Sequence, residues 1–244
     1  MKIVGIIQAR MGSTRLPGKI MKKVNDKSLL DYQLERVKRS NILDEIVIAT
    51  TTKEHDDFIV EFCENQKTKV YRGSEDNVLE RYYYAAKEAN ADIVVRMTSD
   101  CPLIDPEIID HVISNYLDSD FDYVSNTQIR TYPRGMDTEV FSFSVLEQAY
   151  LNAKKEYEKE HVTPFIYLNP SIYSIGQVEN NQDYSKYRLT VDTPEDFKLI
   201  SILIEKLYVD DKMFGLKKII SILQEEPHLY EINKYIEQKK LGDQ

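Results

Sequence analysis

A chain of 244 residues with 41 acidic and 32 basic side chains carries a formal charge of −9. Its 42% hydrophobic and 30% charged content excludes a disordered or fibrous protein, and the acidic balance excludes a general nucleic-acid binder, which needs a basic face to displace counterions. The length suits one large domain, and the two cysteines, Cys63 and Cys101, are too few for a disulfide framework and read as reduced core thiols.

The N-terminal run from Ile3 to Ile7 is a compact, β-branched, buried strand. It turns polar at Gln8, too soon for a signal peptide or a membrane span, so a cytoplasmic protein with no membrane partner is expected. Between Ser28 and Ser40, Leu30, Leu34 and Val37 recur at helical spacing. Glu45–Thr50 reads as a strand, Phe58, Ile59, Phe62 and Cys63 mark a helix, and Lys69–Arg72 is a short strand. Val78, Leu79, Tyr82, Tyr83 and Ala86 form the next helical stripe, and Ile93–Met97 a strand. Pro106 opens a helix carrying Ile108, Ile109, Val112 and Ile113, and Phe121–Ser125 is again strand-like. Repeated strand–helix units predict an α/β fold, a mostly parallel sheet flanked by helices on both faces.

After residue 127 the rhythm changes. Residues 128–136, with Pro133 and Gly135, read as a loop, and Glu139–Phe143 as a strand. Ser144 and Glu147 have capping-box spacing before a helix expected to run to about Tyr157. Tyr173–Glu179 and Tyr187–Val191 are strand candidates. Thr193-Pro194-Glu195-Asp196 is a helix start, with a cap, a first-turn proline and two acids at the positive end of the dipole; that helix runs to about Tyr208. Two short helices split by Pro227 fill 215–238.

The densest chemical signal is the stretch Gln8–Lys19, QARMGSTRLPGK, at the C-terminal end of the first strand, the edge where open parallel sheets bind ligands. Gly12 admits close backbone approach, Ser13 and Thr14 add hydroxyls, and Arg10, Arg15 and Lys19 put three cations into ten residues of an acidic chain. A polyphosphate needs that combination. The competing reading is a surface turn with incidental basic residues; neither the Walker pattern nor GxGxxG is met. Asp100, in Arg96-Met97-Thr98-Ser99-Asp100-Cys101-Pro102, also ends a strand and suits Mg²⁺, or caps the turn before Pro102. Asp192 ends a strand candidate and could share that metal, or belong to the following helix cap. Arg134, Asp137, Glu139 and His161 bring donors and acceptors that suit a hydroxylated ligand, or an ordinary solvated loop. No nucleophilic Ser/His/Asp or Cys/His set stands out.

The ordered motifs QARMGSTRLPGK, RGSEDNVLERYYYAA, SDCPLID, RGMDTEVF, EHVTPFIY and VDTPEDF resemble the SpsF family of spore-coat polysaccharide biosynthesis, from Lys2 to about Tyr208. That family is related to the CMP-KDO and CMP-acylneuraminate synthetases. The resemblance implies a GT-A/Rossmann-like nucleotidyltransferase, with residues 1–127 as nucleotide-binding half, 128–208 as acceptor-side half and 209–244 as C-terminal helices of a single domain. It implies a nucleotide site of Gln8, Ala9, Arg10, Gly12, Ser13, Arg15, Lys19, Ser74, Arg96 and Ser99. Arg15, Lys19 and Asp100 would be catalytic, and Asp100 and Asp192 would hold Mg²⁺. Arg134, Asp137 and Glu139 match a stretch typical of the SpsF branch and, with His161, would face the acceptor. The implied partners are CTP, a small acidic sugar-like acceptor and a second copy in a homodimer. KDO synthetases carry Pro at the position of Gln8 and Gly-Asp-Glu-Pro where this chain has Ser99-Asp100-Cys101-Pro102, so the acceptor need be neither KDO nor sialic acid. The alternatives are a glycosyltransferase of the same fold, which releases no pyrophosphate, and a nucleotide-binding scaffold without turnover.

Overall fold

Side chains alternate across the first strand, β1 (Ile3–Gln8), and this alternation sets the layers of the molecule. Ile3 and Ile7 enter one buried cluster, Val4 and Ile6 another. In the computed structural model, which describes residues 1–210 and 212–238, β1 is an inner strand of a seven-stranded sheet. A small hairpin, β2 (Lys23–Val24) and β3 (Lys27–Ser28), follows the Gln8–Lys19 stretch, and then come α1 (Leu29–Val37), β4 (Glu45–Thr51), α2 (Asp57–Asn65), β5 (Lys69–Gly73), α3 (Val78–Glu88), β6 (Ile93–Thr98) and α4 (Pro106–Leu117). The remaining elements are β7 (Tyr123–Ser125), β8 (Glu139–Ser142), α5 (Phe143–Asn152), α6 (Glu156–His161), α7 (Pro164–Tyr167), β9 (Ile175–Gln177), α8 (Pro194–Asp210), α9 (Leu216–Glu225) and α10 (Pro227–Tyr230). Position 211 and positions 239–244 of the expected C-terminal segment lie outside the described residues.

The strand order is β5-β4-β1-β6-β8-β7-β9. Strands β5, β4, β1 and β6 are mutually parallel, β8 runs antiparallel to β6 and β7, and β7 is parallel to β9. The sheet is therefore mostly parallel with helices on both faces, as the strand–helix rhythm predicts. Residues of α1, α2, α4, α8 and α9 pack with Ile7, Ile48 and Val95 on one face. Residues of α3, α5 and α7 pack with Val4, Ile6 and Val94 on the other. Full burial of each such aliphatic side chain contributes about 1.5–3 kcal/mol. Both cysteines are free and buried.

Helix starts follow their caps. The Ser28 hydroxyl accepts from Asp31 N–H, Asn77 from Glu80 N–H, and Asp105 from Glu107 N–H ahead of Pro106. Four local expectations are revised. The cap of α5 is Ser142, which accepts from Val145 N–H, while the Ser144 hydroxyl pairs with that of Ser142. The helix expected to reach Tyr157 stops at Asn152 because Ala153 turns extended, and α6 restarts where the Glu158 carboxylate accepts from Lys154 and Lys155 N–H. Tyr187–Val191 is not a strand: it makes an isolated bridge between Arg134 and Arg188, and its apolar residues are buried without a ladder. The hairpin β2–β3 was not foreseen; Asn25 and Asp26, both at positive φ, supply the turn that two-residue hairpins favour.

Candidate active site

Because β1 and β6 run side by side and parallel, the chain leaves both at the same edge of the sheet. A cleft of about 1010 Å³ opens there, near the upper end of the size that takes small-molecule ligands. It is lined by all the residues assigned to the site from the sequence except Ser74. Ser74 instead accepts a hydrogen bond from Asn77 N–H at 3.0 Å, just ahead of α3.

Residues 9–18 are pinned at several points. Ala9 N–H donates to Ala49 O at 3.0 Å, and Met11 N–H to Asp56 Oδ1 at 2.7 Å. Asp56 is fully buried and also accepts from the Thr51 hydroxyl. The loop closes where Gly18 N–H meets Met11 O at 3.1 Å. Gly18 sits at φ 63°, a conformation other residues adopt at a cost, and launches the short turn Lys19–Met21, anchored by buried Ile20. This fixes the stem of Lys19 at the cleft wall.

Lys19 reaches two carboxylates from distant parts of the chain. Its Nζ lies 3.0 Å from Asp100 Oδ2 and 2.8 Å from Asp192 Oδ1. Asp100 is held by β6: its Oδ1 accepts from the Thr98 hydroxyl at 2.6 Å and the Cys101 thiol at 3.4 Å. Asp192 is brought alongside by backbone contact, with Val191 N–H donating to Asp100 O at 2.9 Å. Its Oδ2 takes Arg188 Nη2 at 2.6 Å and Arg15 Nη2 at 3.1 Å. Burial pushes the Asp100 carboxyl up, but the Lys19 ammonium and the hydrogen bonds outweigh it and bring it down to about 2. Burial pulls Lys19 down, and the two aspartates more than reverse this, so its pKa is raised.

The other predicted groups divide by whether the protein already engages them. Arg96 pairs with Glu139, and its Nη2 donates to Gln8 Oε1 at 3.2 Å. A guanidinium has only donors, so the Gln8 amide must present its oxygen to Arg96 and its NH₂ elsewhere. Glu139 Oε1 also accepts from Tyr123 at 2.5 Å and Thr163 at 2.8 Å, so both of its oxygens are taken by protein partners. Asp137 receives Arg130 through two contacts, at 2.6 and 2.9 Å. Ser13 Oγ accepts from Leu16 N–H at 3.4 Å, and Ser99 N–H donates to Gln8 O at 3.1 Å. By contrast, Arg10 and Arg134 make no ion pair among the described residues, although both line the cleft. Burial and the neighbouring Arg130 lower the Arg134 pKa. The His161 imidazole likewise has no hydrogen-bond partner among the described residues, and burial pushes it below 6.5. It precedes Val162, whose φ of 74° is rare for a β-branched residue; such strain costs about 1–3 kcal/mol and clusters at functional sites.

Sequence reasoning missed Arg81, Thr127, Gln128, Thr163 and Tyr167, which also line the cleft. Arg81 had a usable signal: it lies three residues after Val78, on the apolar stripe of α3, where a charge needs a reason. It is buried, and its Nη1 donates to Ser74 O at 2.8 Å. Among the described residues no group of three or more His, Cys, Asp or Glu side chains is arranged to hold a metal ion. The two carboxylates on Lys19 are the pair suited to one, since Mg²⁺ is typically held by one or two carboxylates together with substrate phosphates.

The family model described as cytidylyltransferase matches residues 4–240. The chain is 37% identical over 211 residues to the spore coat polysaccharide biosynthesis protein SpsF of Bacillus subtilis, covering 84% of this chain and 87% of that protein. It is 30% identical over 213 residues to a 3-deoxy-manno-octulosonate cytidylyltransferase of Chlamydia trachomatis, covering 83% and 82%. A solved cytidylyltransferase from Leptospira borgpetersenii superposes with a TM-score of 0.91 at 36% identity, covering 98% of this chain and all of that one. Among the described residues no helix is long and apolar enough to cross a membrane.

Proposed function

The chain belongs to the cytidylyltransferase family, and on that premise we propose that the cleft transfers the cytidylyl group of CTP to a small acidic sugar-like acceptor, releasing pyrophosphate, for surface glycan synthesis. The observation that carries this is the convergence of Lys19, Arg15, Asp100 and Asp192 on one point at the ends of parallel strands.

In this reaction an oxygen of the acceptor attacks the α-phosphorus of CTP, a new P–O bond forms, and the bond to the β-phosphate oxygen breaks. The triphosphate lies along residues 10–19, where Arg10 is free to take an anion. Arg15 and Lys19 neutralise the charge that builds on the leaving pyrophosphate. Arg134, unpaired and half-buried, takes the acid group of the acceptor. His161, neutral at pH 7, accepts a proton or a hydrogen bond from an acceptor hydroxyl. Glu139 acts through Arg96 rather than on substrate. Asp100 and Asp192 would hold Mg²⁺, which when bound would supply charge neutralisation and orientation of the phosphates. Positioning and electrostatics dominate such transfers, consistent with the lack of a nucleophilic set. The enzyme works as a homodimer in the cytoplasm, where Cys63 and Cys101 stay reduced; light scattering should give twice the 28.5 kDa chain mass.

The test is a pyrophosphate-release assay with CTP, UTP, GTP and ATP, Mg²⁺ and a panel of carboxylated sugars. CTP-selective pyrophosphate release that depends on a sugar supports the proposal. Release of a nucleotide without pyrophosphate, from a nucleotide-sugar donor, would mark a glycosyltransferase instead.

A further inference from the structure

We infer that Lys19 is a placeholder for the divalent cation: without nucleotide its ammonium bridges Asp100 and Asp192, and on nucleotide entry the metal takes that point while the ammonium moves onto the phosphates. This rests on the proposed function.

Four features carry it. Each carboxylate has one oxygen committed to the protein: Asp100 Oδ1 to Thr98 and Cys101, Asp192 Oδ2 to Arg188 and Arg15. The two oxygens left, Asp100 Oδ2 and Asp192 Oδ1, both point at the Lys19 ammonium, 3.0 and 2.8 Å away. A metal binding both carboxylates needs the same oxygens, and its charge repels an ammonium that stays. Lastly, a lysine head is a compact point charge on a flexible stem, and the Lys19 side chain is 13% exposed on the cleft side, so it can stand in for an ion and then leave.

The ammonium keeps the two carboxylates together and compensated, at the expense of metal affinity in the empty enzyme. Metal and nucleotide therefore enter together, because the phosphates offer the displaced ammonium a new anionic partner. A free divalent ion, which brings no such partner, competes poorly. The same side chain serves the empty site as a cation and the loaded site as a phosphate ligand.

The test is Mn²⁺ binding to nucleotide-free protein, read by the electron paramagnetic resonance signal of free Mn²⁺. Wild type should bind weakly, and Lys19→Met at least tenfold more tightly. The double variant Lys19→Met/Asp100→Asn should lose that gain, which ties it to the carboxylate pair. If Lys19→Met fails to fold, Lys19→Gln, which keeps a donor and removes the charge, should show the same gain. Mn²⁺ binding by the charge-free variants that is no tighter than wild type, or absent from every variant, overturns the inference. A missing pyrophosphate signal in the CTP assay would instead sink the proposed function, so the two failures are distinguishable.

Discussion

Arg188 reaches four residues along the chain to hold Asp192, with Nη2 2.6 Å from Oδ2. Its Nε simultaneously stands 2.9 Å from Asp196 Oδ1, and Asp196 is fully buried. The carboxylate that faces Lys19 is thus aimed from behind by a buried guanidinium. Arg188→Met removes that support and leaves a buried charge unpaired. Urea unfolding should show a loss of about 3–5 kcal/mol, the usual cost of breaking a buried pair from one side.

The ion pairs lining the cleft should separate by burial. Glu139→Gln strips Arg96 of its compensating charge in a nearly closed site and should likewise cost about 3–5 kcal/mol. Asp137→Asn disrupts the pair with Arg130, but Asp137 is 33% exposed, so the same measurement should register at most about 1 kcal/mol. Equal losses would mean that the Arg96–Glu139 pair is solvated.

Turnover should respond differently. Lys19→Ala and Asp100→Ala should each lower CTP-dependent turnover at least tenfold, about 1.4 kcal/mol of transition-state stabilisation, while circular dichroism shows a folded protein. Full activity in Asp100→Ala would remove that carboxylate from the reaction.

His161 sets a pH dependence. Burial holds its folded pKa below the ordinary 6.5, so below that pH the unfolded chain binds the proton more readily than the native state. Its contribution to stability is complete above 6.5 and is lost as the pH falls toward the folded value. Imidazole NMR should place the His161 titration under 6.5, and His161→Gln should flatten the decline in stability on acidification from pH 7. A titration above 6.5 would place the ring in solvent or beside an acid.

The strand ends and the groups that gather on them were legible because strand periodicity and charge both mark them: β1 ends at Gln8 and β6 at Thr98, and the basic stretch follows the first directly. Other features depend on contacts that spacing cannot express. Glu139 looks like a ligand in the sequence, and only the folding of Tyr123 and Thr163 around it makes it internal support. Tyr187–Val191 alternates apolar and polar residues like a strand, yet all five are buried and the stretch makes one isolated bridge, Arg134 to Arg188, in place of a ladder. The break at Ala153 is a single backbone rotation inside a helical composition.

The central measurement is a thermal-shift comparison of CTP with and without Mg²⁺, on wild type and Asp100→Ala. Wild type should melt higher with CTP and Mg²⁺ together, by an amount equivalent to about 2.7 kcal/mol at a hundredfold excess over Kd, and the variant should lose most of that rise. If no nucleoside triphosphate moves the melting temperature of the wild-type protein with Mg²⁺ present, the cleft is not a magnesium–nucleotide site.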